Sequence, residues 1–158
     1  MDYALLHPER VRSLVVSSSF GGVQDESYSI IQRRVRPPEI HALPVELREL
    51  GPSYRAIYPE GVQRWLAIER VSHPEGSLDL TGQAPQDPVT FARLETMKVP
   101  VLVICGDADL LSPPALMRLF AERISDCRFV TVPEAGHAAF WEQPDIWNKL
   151  VLDFIGQH

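Results

Sequence analysis

Cysteine is scarce in this chain. Cys105 and Cys127 are the only two in 158 residues, too few for a disulfide framework. The mild expectation is a reduced, cytoplasmic setting. Metal ligation would need more partners at characteristic spacing, which the cysteines and the histidines do not supply. Long apolar runs are missing too: none approaches the roughly 18 residues of a membrane span. Basic runs are short, and the formal net charge of −6 argues against nucleic acid as a partner. The nearest basic cluster, Arg33, Arg34 and Arg36, reads as a solvated helix end. Aromatics make up 8% and charged residues 23% of a 45% hydrophobic chain, an ordinary balance for one globular domain with a real core.

What is present centres on residues 99–114, VPVLVICGDADLLSPP. Residues 101–105 are apolar and mostly β-branched, the pattern of a buried strand. Gly106 ends it, a loop with Asp107 and Asp109 follows, and Ser112 before Pro113 and Pro114 predicts a helix start with a capping hydroxyl. The unit then repeats. Leu116, Leu119, Phe120 and Ile124 form a helical stripe over residues 113–124, and residues 128–132 make another strand. A loop carrying Gly136 and His137 follows, and Pro144 opens a last helix with Ile146, Leu150 and Phe154 four residues apart and Gly156 as its stop. Parallel neighbouring strands would set an acid-bearing loop beside a histidine-bearing one. In open α/β sheets chemistry sits at that edge.

The earlier part of the chain supplies one more strand and an insertion. MDYALL reads as the tail of a helix that Pro8 disfavours beyond His7. Leu14, Val15 and Val16 form a third strand, expected to be buried, and Ser17, Ser18, Ser19 and Phe20 its exit. Between residues 21 and 88 prolines cluster (Pro37, Pro38, Pro44, Pro52, Pro59, Pro74, Pro85 and Pro88). Amphipathic helices are predicted over residues 25–34 and 59–71, and a helix over 88–97 leads back to Val101. The expected division is a core portion, residues 1–20 and 89–158, and a helical lid, residues 21–88.

Two stretches resemble a known family. Tyr3-Ala4-Leu5-Leu6-His7-Pro8-Glu9-Arg10-Val11 resembles the α/β-hydrolase fold just after its nucleophile elbow. Residues 99–109 with Pro113 resemble that family's acid loop, and Ala135-Gly136-His137, with Glu142 and Pro144 beyond, its histidine loop. The resemblance implies a partial α/β-hydrolase fold: about three parallel strands flanked by helices, with a helical lid. It implies Asp109 as triad acid and His137 as base. In such chemistry the imidazole takes a proton from the nucleophile, and the carboxylate fixes the imidazole's tautomer. On residue type alone, Asp107 and Asp109 equally suit a polar turn, and His137 a solvated loop. Beside the resemblance, Asp107 is the turn residue. Phe20 is a candidate pocket residue, with core packing the equal alternative. His7, His41, His73 and His158 read as structural or surface residues, and Trp65 and Trp141 as packing.

The elbow pattern G-x-S-x-G occurs nowhere in the sequence. The resemblance would put the elbow about two helical turns before Met1. The first reading is therefore the carboxyl-terminal part of a cofactor-independent hydrolase, acting on an ester, lactone or related bond. Such a chain would be inactive alone, of marginal stability, and left with an unpaired strand edge open to association. Its partner would be a small apolar ester-like molecule. Haloalkane dehalogenases, epoxide hydrolases and carbon–carbon bond hydrolases share the same late motifs. The alternatives are a non-catalytic ligand-binding or assembly module, or a truncated product. A third reading has Cys105 or one of Ser17, Ser18 and Ser19 acting with His137.

Overall fold

The computed structural model describes residues 1–72 and 86–158. Three parallel strands form one sheet in the order β1-β2-β3: β1 is Leu14–Ser17, β2 Val101–Gly106 and β3 Cys127–Val132. Leu14 pairs with Val101 and Ser17 with Ile104, while Val101 pairs with Cys127 and Gly106 with Val132. The register brings the exits of all three strands to one edge. His73, Pro74 and Pro85 lie outside the described residues.

The central strand is buried at all six positions, which explains its unbroken apolar run. Its side chains alternate between two layers, as the period of a strand requires. Val101, Val103 and Cys105 face a cluster with α1 (Asp2–Leu6), α2 (Glu26–Val35), α6 (Phe91–Leu94) and α7 (Pro114–Ala121). Leu102 and Ile104 face the other layer, built with Phe154, Trp147, Leu150 and Val151 of α9 (Pro144–Ile155). Only Val16 of β1 is buried, short of the wholly buried strand expected. β1 pairs with β2 alone among the described residues, so its other residues stay half-exposed.

Between β1 and β2 run α2, α3 (Val45–Glu49), α4 (Pro52–Ile57), α5 (Pro59–Ser72) and α6, with a 3-10 turn at Pro38–Ala42. The predicted helices over residues 25–34 and 59–71 form within a residue or two. Asp25 caps α2, its carboxylate accepting from the N–H groups of Ser27 and Tyr28. The helix expected over residues 88–97 shrinks to α6, because Thr90 caps the N–H of Arg93 and the chain turns away after Leu94. A third apolar cluster fastens the insertion to the sheet: Leu50, Val62, Trp65 and Leu66 pack on Ala138 and on Trp141 of α8 (Ala139–Glu142). The rings of Trp65 and Trp141 meet edge-on at 5.5 Å.

Ser112 does not cap α7. The N-cap is Pro113, with no side-chain hydrogen bond, and the Ser112 hydroxyl donates instead to the carbonyl of Ser18 at 2.9 Å. The helix also ends at Ala121, short of Ile124. The serine thus ties the exit loop of β2 to that of β1.

Ile104 has no solvent exposure and sits mid-sheet. Ile104→Ala should therefore lower unfolding free energy by about 2–5 kcal/mol, the usual range for emptying such a site. Urea titration followed by circular dichroism checks this. A loss under ~1 kcal/mol would mean that the two layers are not packed across β2 as described.

Candidate active site

Gly106 decides how closely the exits of β2 and β3 approach. A Cβ at this position would lie 2.1 Å from the carbonyl oxygen of Ala135 and 2.2 Å from that of Gly136, so only glycine allows the backbones to lie together. Two hydrogen bonds then join the loops: Asp107 N–H donates to Val132 at 3.0 Å, and Ala108 N–H to Ala135 at 2.9 Å. Asp107 itself is exposed. The next turn carries Asp109 inward.

The Asp109 side chain is fully buried and the His137 side chain 31% exposed. Oδ1 of Asp109 accepts from the backbone N–H groups of Leu111 at 2.9 Å and Ser112 at 2.7 Å. His137 Nδ1 lies 3.1 Å from both carboxylate oxygens. A carboxylate can only accept, so the contact selects the tautomer protonated on Nδ1. Nε2 is then the basic nitrogen, and no protein group bonds it among the described residues. The structure thus brings Asp109 and His137 together, and His137 borders a cavity of about 350 Å³ that also touches Phe20. Besides lining this cavity, the Phe20 ring packs edge-on against Tyr28 at 5.9 Å.

Glu142 holds the histidine loop from behind. Its carboxylate accepts from Gly136 N–H at 2.9 Å and from Gly51 N–H at 2.8 Å. Gly51 joins α3 to α4, and Gly136 directly precedes His137. The next residue along, Ala138, donates its N–H to the Glu49 carbonyl at 3.0 Å. The insertion is therefore fastened to the backbone on both sides of His137. The tight contact of Gly136, where a Cβ would come within 2.5 Å of Gly51 N, leaves no room for a side chain there. Glu142 was visible in sequence as part of the histidine motif, but nothing local showed its second bond, 91 residues away.

The cavity beside His137 also meets Ser18, Arg36, His41 and Arg48. In sequence Ser18 entered only as a candidate nucleophile, His41 as a structural or surface residue and Arg36 as part of a solvated helix end, while Arg48 was given no role. The cluster read as a solvated helix end divides: Arg33 and Arg34 are exposed, while Arg36 turns in at the C-cap of α2. A larger hollow of about 730 Å³ lies between α4, α5 and Glu142, but His137 does not border it. Cys105 is wholly buried and burial pushes its thiol up to about 12, so it holds no useful thiolate. Cys127 is pushed up to about 11 for the same reason. Ser17 Oγ accepts from Trp147 Nε1 at 3.0 Å. Among the described residues no group of three potential metal ligands converges, and no helix is long and apolar enough to cross a membrane.

A parallel sheet between helical layers, with a buried acid and a histidine on successive strand exits, is an arrangement of the α/β-hydrolase fold. Residues 3–150 match the Alpha/beta hydrolase family, and the chain belongs to it. It is 28% identical to the pimeloyl-[acyl-carrier protein] methyl ester esterase of Neisseria meningitidis serogroup B, over 96% of this chain and 62% of that protein. It is 29% identical to the 2-hydroxy-6-oxononadienedioate/2-hydroxy-6-oxononatrienedioate hydrolase of Paraburkholderia phymatum, over 98% and 57%. The solved structure of a thermophilic esterase from Thermogutta terrifontis superposes with a TM-score of 0.73 at 22% identity, covering 98% of this chain and 59% of that one. The chain spans about three-fifths of the length of the curated relatives it matches.

Burial raises the pKa of Glu142 above its ordinary 4.5, outweighing the two N–H groups that pull it down. The stability this group contributes is then full below pH 4.5 and is lost as pH rises through the raised value. Glu142→Gln does not titrate. The unfolding free energy of the wild type minus that of this variant should therefore fall as pH rises from 4 to 7 in urea titrations. A difference that grows with pH would contradict the burial described.

Proposed function

We propose that the chain supplies the acid and the base of a cofactor-independent hydrolase that cleaves an ester, lactone or related bond. The observation that carries this reading is the contact of His137 Nδ1 with the buried Asp109 carboxylate, which leaves Nε2 for a nucleophile's proton. Asp109 stabilises the imidazolium that forms when a hydroxyl attacks the substrate carbonyl. The names of the relatives support ester or related hydrolysis as the reaction class. On this reading residues 21–88 are a lid over the strand exits, and Phe20 is one wall for the acyl group.

The nucleophile is assigned to residues outside this chain, since no G-x-S-x-G elbow occurs in it. The second reading, a ligand-binding module without turnover, is favoured by that same observation together with the retained cavity. Hydrolysis of a short-chain nitrophenyl ester separates the two. The chain alone should be inactive. Joined to an upstream segment bearing the elbow, it should turn over, with Asp109→Asn slowing kcat by about 10⁴-fold, the known cost of losing the triad acid. Activity of the chain alone that disappears in His137→Ala would place the nucleophile within it. A joined enzyme that folds but stays inactive would favour the binding module.

A further inference from the structure

The cavity beside His137 holds more cationic donors than ester cleavage needs. Arg36, at the end of α2, is half-buried, and its Nη1 donates to the Leu111 carbonyl at 3.0 Å. Its guanidinium lies 5.2 Å from the centre of the Phe20 ring, which fixes its plane. No carboxylate pairs with it among the described residues. Arg48, in α3, donates through Nη1 to the His41 carbonyl at 3.2 Å. Its Nε is 3.6 Å from Glu49 Oε1 and is buried without a hydrogen-bond partner. Each guanidinium has five N–H donors, so a carbonyl apiece leaves most of them unused.

Ser18 adds a neutral donor. It is 9% exposed, sits at a left-handed φ of 46°, and its hydroxyl also has no partner. A buried donor without an acceptor is unfavourable, and here two such groups border one small space. Glu49 is the carboxylate on this wall, 3.6 Å from Arg48 Nε, and burial raises its pKa; it faces Arg48, and among the described residues no contact joins it to Arg36. Asp109 does not serve them, being occupied by two backbone N–H groups and His137.

We propose that this cavity binds a carboxylate carried by the substrate, so that the enzyme acts on acid-bearing esters such as half-esters of short dicarboxylic acids. The anion meets the planar forks of Arg36 and Arg48, which suit a carboxylate. A volume near 350 Å³ takes a chain of a few carbons. This specificity rests on the reading of His137 as the base, but the binding itself needs no nucleophile.

The test titrates hexanoate and its neutral analogue hexanamide into the ¹⁵N-labelled chain, following arginine Nε–H signals. Hexanoate should bind at least ~10-fold more tightly than hexanamide, and Arg36→Met and Arg48→Met should each weaken it ~10-fold, as losing a charged partner would. Circular dichroism verifies that each variant folds. Equal binding of the two probes, no binding of either, or wild-type affinity in both variants overturns the proposal. Selective hexanoate binding beside a joined enzyme that never turns over overturns the hydrolase reading and leaves the anion site standing. Equal kcat/KM for neutral and acid-bearing esters does the reverse.

Discussion

The Asp109 carboxylate is the point on which the site depends. It accepts two backbone N–H groups of its own loop and the Nδ1 proton of a histidine 28 residues away. Burying a carboxylate is costly unless its oxygens are satisfied, and here the same oxygens that are satisfied also hold the His137 ring. The N–H groups of Leu111 and Ser112 fix the carboxylate in place; the carboxylate fixes the imidazole. The arrangement requires the exits of β2 and β3 to lie together, which the missing side chain of Gly106 allows.

Around that contact the insertion acts as a brace. Glu142 joins Gly51 to Gly136, and the Glu49 carbonyl accepts from Ala138, so the histidine loop is held from the sheet on one side and from the insertion on the other. The aromatic packing of Trp65 on Trp141 thickens the same joint. A change in the insertion near residues 49–51 would thus reach His137 through one or two hydrogen bonds. That is a short physical route from the insertion to His137.

Much of this was legible in the sequence because it is local. The unbroken run at Val101–Gly106 and the prolines opening α5 and α9 state their structure within a few residues. The strand order also foretold an acid-bearing loop beside a histidine-bearing one, since parallel strands bring successive exits to one edge, and the family resemblance pointed to Asp109 rather than Asp107 as the acid. What was not legible depends on distant partners. Ser112 looked like a cap because its partner, the Ser18 carbonyl, is 94 residues away. Arg36 looked solvated because its neighbours Arg33 and Arg34 are, while the Leu111 carbonyl that receives it lies 75 residues on. The burial expected of β1 failed for a similar reason. Strand burial is set by what pairs and packs on it, and one hydrogen-bonded neighbour covers Val16 but not Leu14 or Val15.

The central claim is that Asp109 selects and holds one tautomer of His137, and imidazole ¹⁵N chemical shifts measure that directly. In the neutral ring, Nδ1 should carry the proton and Nε2 should show the shift of an unprotonated nitrogen, with the preference lost in Asp109→Asn. A neutral ring protonated on Nε2, or a tautomer indifferent to Asp109→Asn, would contradict the account.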